Sequence, residues 1–130
     1  TQTQHDTLTD VSGVDNADAQ HTHTSLAQST TTSIAAASTV AVDSVLATSV
    51  QSIVWFVTAE DTVTGDRSFM QVAAVHDGTT PYSSSAYRLN QSSVPFSQCA
   101  VISAGNLELE ITNDGSNSID VTITKVTTTT

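Results

Sequence analysis

His76 and Asp77 are adjacent, and an imidazole beside a carboxylate is the commonest acid–base pairing in catalysis. Gly78 follows at once. Asp-Gly after an apolar run is a hairpin signal, so turn chemistry accounts for the pair without any reaction. The single thiol, Cys99, would be a nucleophile with His76 as its base. Its neighbours are Phe96, Ala100, Val101 and Ile102, where a lone cysteine is expected as a small buried hydrophobe. No Gly-x-Ser-x-Gly elbow is present. The sequence therefore assigns no catalytic residue, no cofactor and no enzymatic activity.

His21-Thr22-His23 has a different potential. In an extended chain, residues two apart point the same way. If three chains met on a threefold axis, six imidazoles would converge and suit one transition metal. The plainer reading is two solvated histidines, and no metal site is assigned. Glu60, Asp61 and Asp66 gather around one turn, and Asn113, Asp114 and Asn117 around another. Both offer the oxygen ligands that calcium prefers, but neither has the spacing of the twelve-residue calcium loop, and acidic turns explain them. Trp55, Tyr82 and Tyr87 are the aromatic candidates for a sugar platform. Trp55 lies in the most apolar segment and is expected in the core. Tyr82 and Tyr87 flank a Ser-rich stretch and are expected at the surface.

Such residues must be carried by a fold, and composition bounds it. A chain of 130 residues suits one domain with a real core. Charged residues are 12 %, about half the usual ~25 %. Lys and Arg total 3 against 13 Asp and Glu, for a net charge of −10. Eight acids precede the first basic residue, Arg67. So few scattered cations cannot build a phosphate-binding patch, which argues against nucleic acid and against an anionic membrane surface. Thr and Ser supply the polarity instead and favour strands over surface helices. One cysteine excludes an intrachain disulfide framework. No apolar run reaches membrane-span length, and no signal peptide is expected from the opening residues.

Residues 1–33 hold few large apolar side chains, Leu8, Val11, Val14 and Leu26. They cannot bury enough surface to offset their ordering entropy. We expect an extended polar arm that orders on a partner, with those four residues as its anchors. Residues 34–126 read as strand, turn, strand. Ile34 to Val45 is apolar and β-branched in patches, with alanines 35–37 allowing a short helical turn. Val50 to Ala59 is apolar in both alternating sets and looks buried on both faces. It forms a hairpin with Ser68 to His76 around Thr64-Gly65-Asp66. Strands follow over Pro81 to Asn90 and Pro95 to Ser103. Leu107, Leu109 and Ile111 alternate with polar residues, as do Ile119, Val121 and Ile123. Residues 127–130 read as a polar tail. About seven or eight strands at turn spacings of roughly 8 to 12 residues predict a single all-β, antiparallel β-sandwich, jelly-roll or immunoglobulin-like.

Four stretches carry a resemblance. They are Trp55-Phe56-Val57-Thr58-Ala59, Val75-His76-Asp77-Gly78-Thr79-Thr80-Pro81-Tyr82, Leu107 to Asn113, and Val121 to Val126. Together they resemble a small β domain of structural proteins in marine tailed phages, over about residues 40 to 126. The His-Asp-Gly-Thr hairpin followed by Tyr82 is its most specific element. Ser49, Gln51 and Ser52 stand where such domains often carry basic residues. Ser83, Ser84 and Ser85 stand where they often carry acids. The resemblance implies a virion structural protein, assembled in the host cytoplasm.

The arm-plus-sandwich layout leads us to expect a capsid decoration or cement protein. It would clamp the major capsid protein or other virion proteins from outside as a homo-oligomer, with a trimer expected to match local threefold axes. Two other readings stay open. One is a tail, neck or fibre component, to which His21 and His23 would also fit. The other is a carbohydrate-binding module of a salt-adapted organism.

Overall fold

The computed structural model of the chain describes residues 29–91 and 93–129. Eight strands form: β1 (Thr30–Ile34), β2 (Thr39–Leu46), β3 (Val50–Asp61), β4 (Arg67–His76), β5 (Pro81–Asn90), β6 (Phe96–Ser103), β7 (Asn106–Asn113) and β8 (Ile119–Thr129). A 3₁₀ turn, Ala47–Ser49, separates β2 from β3. All pairings are antiparallel. One sheet has five strands in the order β1-β8-β3-β4-β5, and the other has three in the order β2-β7-β6. The fold is the expected β-sandwich.

Period-two alternation builds the core. Ile53, Trp55, Val57 and Ala59 of β3 point inward with Met70, Val72 and Ala74 of β4 and Ile119, Val121 and Ile123 of β8. Leu107, Leu109 and Ile111 of β7 meet them from the smaller sheet, flanked by Val42, Phe96 and Ala100. Trp55 is fully buried, as expected of the most apolar segment. The expected β3–β4 hairpin is present, with Glu60 opposite Arg67 at its closed end.

Three differences from the sequence reading have physical causes. β3 is not buried on both faces: Val54 and Phe56 are only half-buried, because no layer of the described residues covers the outside of the five-stranded sheet. β1 begins at Thr30, ahead of Ile34, and β8 runs on to Thr129, past Val126. The Thr-rich segments at both boundaries are therefore strand, which suits a β-branched residue on a half-exposed sheet margin. Alanines 35–37 make the tight connection from β1 to β2, with Ala37 at φ +61°.

Two polar clusters tie the sandwich together. A bulge in β2 between Ala41 and Asp43 turns the Asp43 side chain toward the opposite sheet. There its carboxylate accepts the Trp55 indole N–H at 2.8 Å and the Lys125 ammonium at 3.0 and 3.1 Å. At one end of the sandwich, Asn113 is fully buried at the close of β7. Its Nδ2 donates to the carbonyls of Ile34, at 3.1 Å, and Asn117, at 2.8 Å. Its Oδ1 accepts the Gly115 N–H at 2.9 Å. One side chain thus joins β1 to the β7–β8 loop.

Candidate interaction surface

The sequence-derived chemistry residues do not converge. His76 ends β4, and its ring is fully used in structure. The Gly78 N–H donates to Nδ1 at 3.0 Å, so the proton sits on Nε2, which donates to the Val50 carbonyl at 2.9 Å. Asp77 accepts the N–H groups of Thr79 and Thr80 at 2.9 and 2.7 Å. These bonds hold the β4–β5 turn, as hairpin chemistry predicts.

Cys99 is a correction. It is exposed, not a small buried hydrophobe. Its apolar neighbours Phe96 and Ala100 are buried at the even positions of β6. Cys99 shares the odd positions with Ser97 and Val101 and lies opposite Glu110 on the outside of the three-stranded sheet. His76 belongs to the other sheet and does not pair with the Cys99 thiol. The anchors Leu8, Val11, Val14 and Leu26, and the pair His21 and His23, lie outside the described residues.

The two acidic turns, separate in sequence, meet in space. The Asn117 amide donates to both oxygens of Asp61, at 3.0 and 3.3 Å. Asp61 also accepts the N–H groups of Val63 and Thr64 at 2.8 and 3.0 Å. These donors are already the oxygens' partners. Among the described residues, no group of three or more His, Cys, Asp or Glu side chains is placed to hold a metal ion.

The same bonds give a pH dependence. The Asn117 amide, then the Thr64 and Val63 N–H groups, hold the Asp61 carboxyl below its ordinary 3.8. The Thr80 and Thr79 N–H groups do the same for Asp77. A carboxyl depressed in the folded state binds protons more readily when unfolded. Its stabilisation is therefore complete above the unfolded value and is lost as pH falls below 3.8 through the folded value. We expect the unfolding free energy, measured by urea titration, to fall on acidification in that window. The Asp61→Asn variant should show a shallower fall, and an unchanged slope would remove Asp61 from the effect.

What the fold does assemble is a surface. Residues directly opposite one another in neighbouring strands share a face. On that basis Val126, Val54 and Ala73 form one row across the outside of the five-stranded sheet, continued by Ser84. Phe56 with Gln71 and Ala86, Phe69 with Leu89, and Val75 with Tyr82 form the rows beside it. Val75, Tyr82, Leu89 and Val126 are all exposed. Sequence reading missed this face because each of its residues is unremarkable alone. The signal was the second apolar set of β3.

Beyond it runs β5, exposed from Tyr82 to Asn90. A bulge there places Tyr87 and Arg88 against Met70, with Tyr87 left-handed at φ +54° and 72 % exposed. Arg88 turns back onto β6. Its guanidinium stacks on the Phe96 ring at 4.3 Å and donates to the carbonyls of Phe96 and Val94. Tyr82 and Tyr87 are thus at the surface, as expected, but they lie on opposite sides of a bulge, without Trp55.

No protein-family model matches the chain, and no curated protein does. Among solved structures, it is similar to part of the tailspike protein of Acinetobacter phage vB_ApiP_P1, with 15 % sequence identity and a TM-score of 0.49. That similarity covers 92 % of this chain and 26 % of the tailspike chain, so the chain spans about a quarter of that protein's length.

Proposed function

We propose that the chain is a non-catalytic structural module of a tailed-phage particle. The observation that carries this reading is the five-stranded sheet, whose outside no other described element covers. Its outer face carries an apolar patch around Val54, Phe56, Val75, Tyr82 and Val126, and among the described residues its edge strand β5 pairs on one side only, which suits a protein that works against neighbours rather than alone. The His76 to Tyr82 hairpin, which resembles that of marine phage domains, supplies the phage context. We place it on the head as a decoration protein, with the residues ahead of β1 as the arm that reaches onto the major capsid protein. Exposed Tyr82 and Tyr87 favour a second reading, a tail or fibre component that meets host glycans.

Gold-labelled antibody against the sandwich, applied to intact particles, tests the assignment. Label distributed over the heads is expected. Label confined to the tail supports the second reading and removes the first, and unlabelled particles with an accessible epitope overturn both.

A further inference from the structure

Edge strands in natural sheets are guarded by shortness, by charge or by bulges, because an unpaired row of N–H and C=O groups recruits another strand. β5 is poorly guarded. It spans ten residues and, among the described residues, pairs with β4 on one side only. Its register against β4 is regular from Pro81 to Ala86, and the bulge comes only after that. Arg88 is its sole charge, and that side chain is turned back onto β6. Tyr82-Ser83-Ser84-Ser85-Ala86 is therefore an exposed, uncharged and regular free edge.

Charge narrows the choice of partner. The chain carries −10, so most of its surface opposes a second copy. Glu108 and Glu110 stand on the smaller sheet, and Asp61, Asp66 and Asp114 at the loops of one end. β5 holds no acid. Along it, two copies meet without juxtaposing carboxylates. The segment is also self-complementary when run antiparallel, since the large Tyr82 then falls opposite the small Ala86.

We propose that β5 pairs antiparallel with β5 of a second copy, across a twofold axis at Ser84, joining two five-stranded sheets into one continuous sheet. The axis falls there for two reasons. A twofold between identical antiparallel strands keeps inward residues opposite inward ones only when it passes through a residue. Centring on Ser84 uses Tyr82 to Ala86 and leaves Pro81, which has no N–H, outside the ladder. A shallow depression of about 390 Å³ runs beside this edge, lined by Val54, Ala73, Val75, Tyr82 and Ser84. Ala86 and Tyr82 of the second copy would close it. The pairing is a property of the purified chain and does not rest on the virion assignment.

Sedimentation velocity of the full chain tests it. A dimer is expected at about 100 µM, the range for a modest interface. The Ser84→Lys variant places like charges opposite one another and should weaken the dimer at least about tenfold, with an unchanged circular dichroism spectrum. In a Cys99→Ser background, Ser84→Cys should form an interchain disulfide on mild oxidation, because directly opposite Cα atoms lie about 4.5–5.5 Å apart, within the span of a disulfide. Ser83→Cys, one residue off the axis, should cross-link much more slowly. A monomer at that concentration, a trimer, or a dimer indifferent to Ser84→Lys and not cross-linked through Ser84→Cys would each overturn the proposal.

Discussion

Replacing Asp43 by Ala is expected to lower the unfolding free energy by about 2–3 kcal/mol, the sum of an orphaned indole and a lost ion pair. Trp55 is fully buried, and its Nε1–H donates to Asp43. Without that acceptor a buried donor goes unpaired, at a cost of about 1–3 kcal/mol. Lys125 loses less. Its side chain is 37 % exposed, against 14 % for Asp43, so water replaces the carboxylate and the ion pair itself adds at most about 1 kcal/mol. The melting temperature should drop by roughly 10–15 °C for a domain of this size. Asp43→Asn keeps an oxygen for the indole and should recover most of the loss. Trp55 is the only tryptophan, so its fluorescence during urea unfolding reads the effect directly. A change under about 0.5 kcal/mol, the range of a neutral surface substitution, would contradict this account of the tie.

Asn113→Asp is expected to cost more, and to do so with a pH dependence opposite to that of the wild type. The amide Nδ2 faces two carbonyls, those of Ile34 and Asn117. A carboxylate there would lose both bonds and set oxygen against oxygen in a fully buried position. The expected penalty is about 3–4 kcal/mol at pH 7. Protonation restores one donor, so the folded-state carboxyl is pushed above its unfolded value. The penalty is then smallest below the unfolded value and grows as pH rises through the folded one. Relative to wild type, the variant should therefore lose ground between about pH 4 and pH 7. Urea titrations at both pH values check the sign. A penalty equal at the two pH values would mean that the Asn113 donors do not matter.

Much of this fold was legible in the residues. Leu107, Leu109 and Ile111 alternate with polar partners, and so do Ile119, Val121 and Ile123, because each strand has one dry face. Asp77-Gly78 marked its turn because few other dipeptides tolerate that backbone, with Gly78 at φ +95°. Strand parity, rather than the apolar neighbourhood, would have placed Cys99 correctly. Other features depend on distant partners. Asp61 and Asn117 are joined only when two loops fold to the same end. Asp43 reaches Trp55 because of a bulge that nothing in Ala41-Val42-Asp43 announces. The second apolar set of β3 was visible, but periodicity cannot separate a covered face from one that awaits a partner.

The most direct test of the proposed virion role is the amount of this chain in purified phage particles from cells that produce it, measured by mass spectrometry against the major capsid protein. The decoration assignment predicts a ratio near one or a simple fraction of it. Absence of the chain from the particles would contradict the virion assignment altogether.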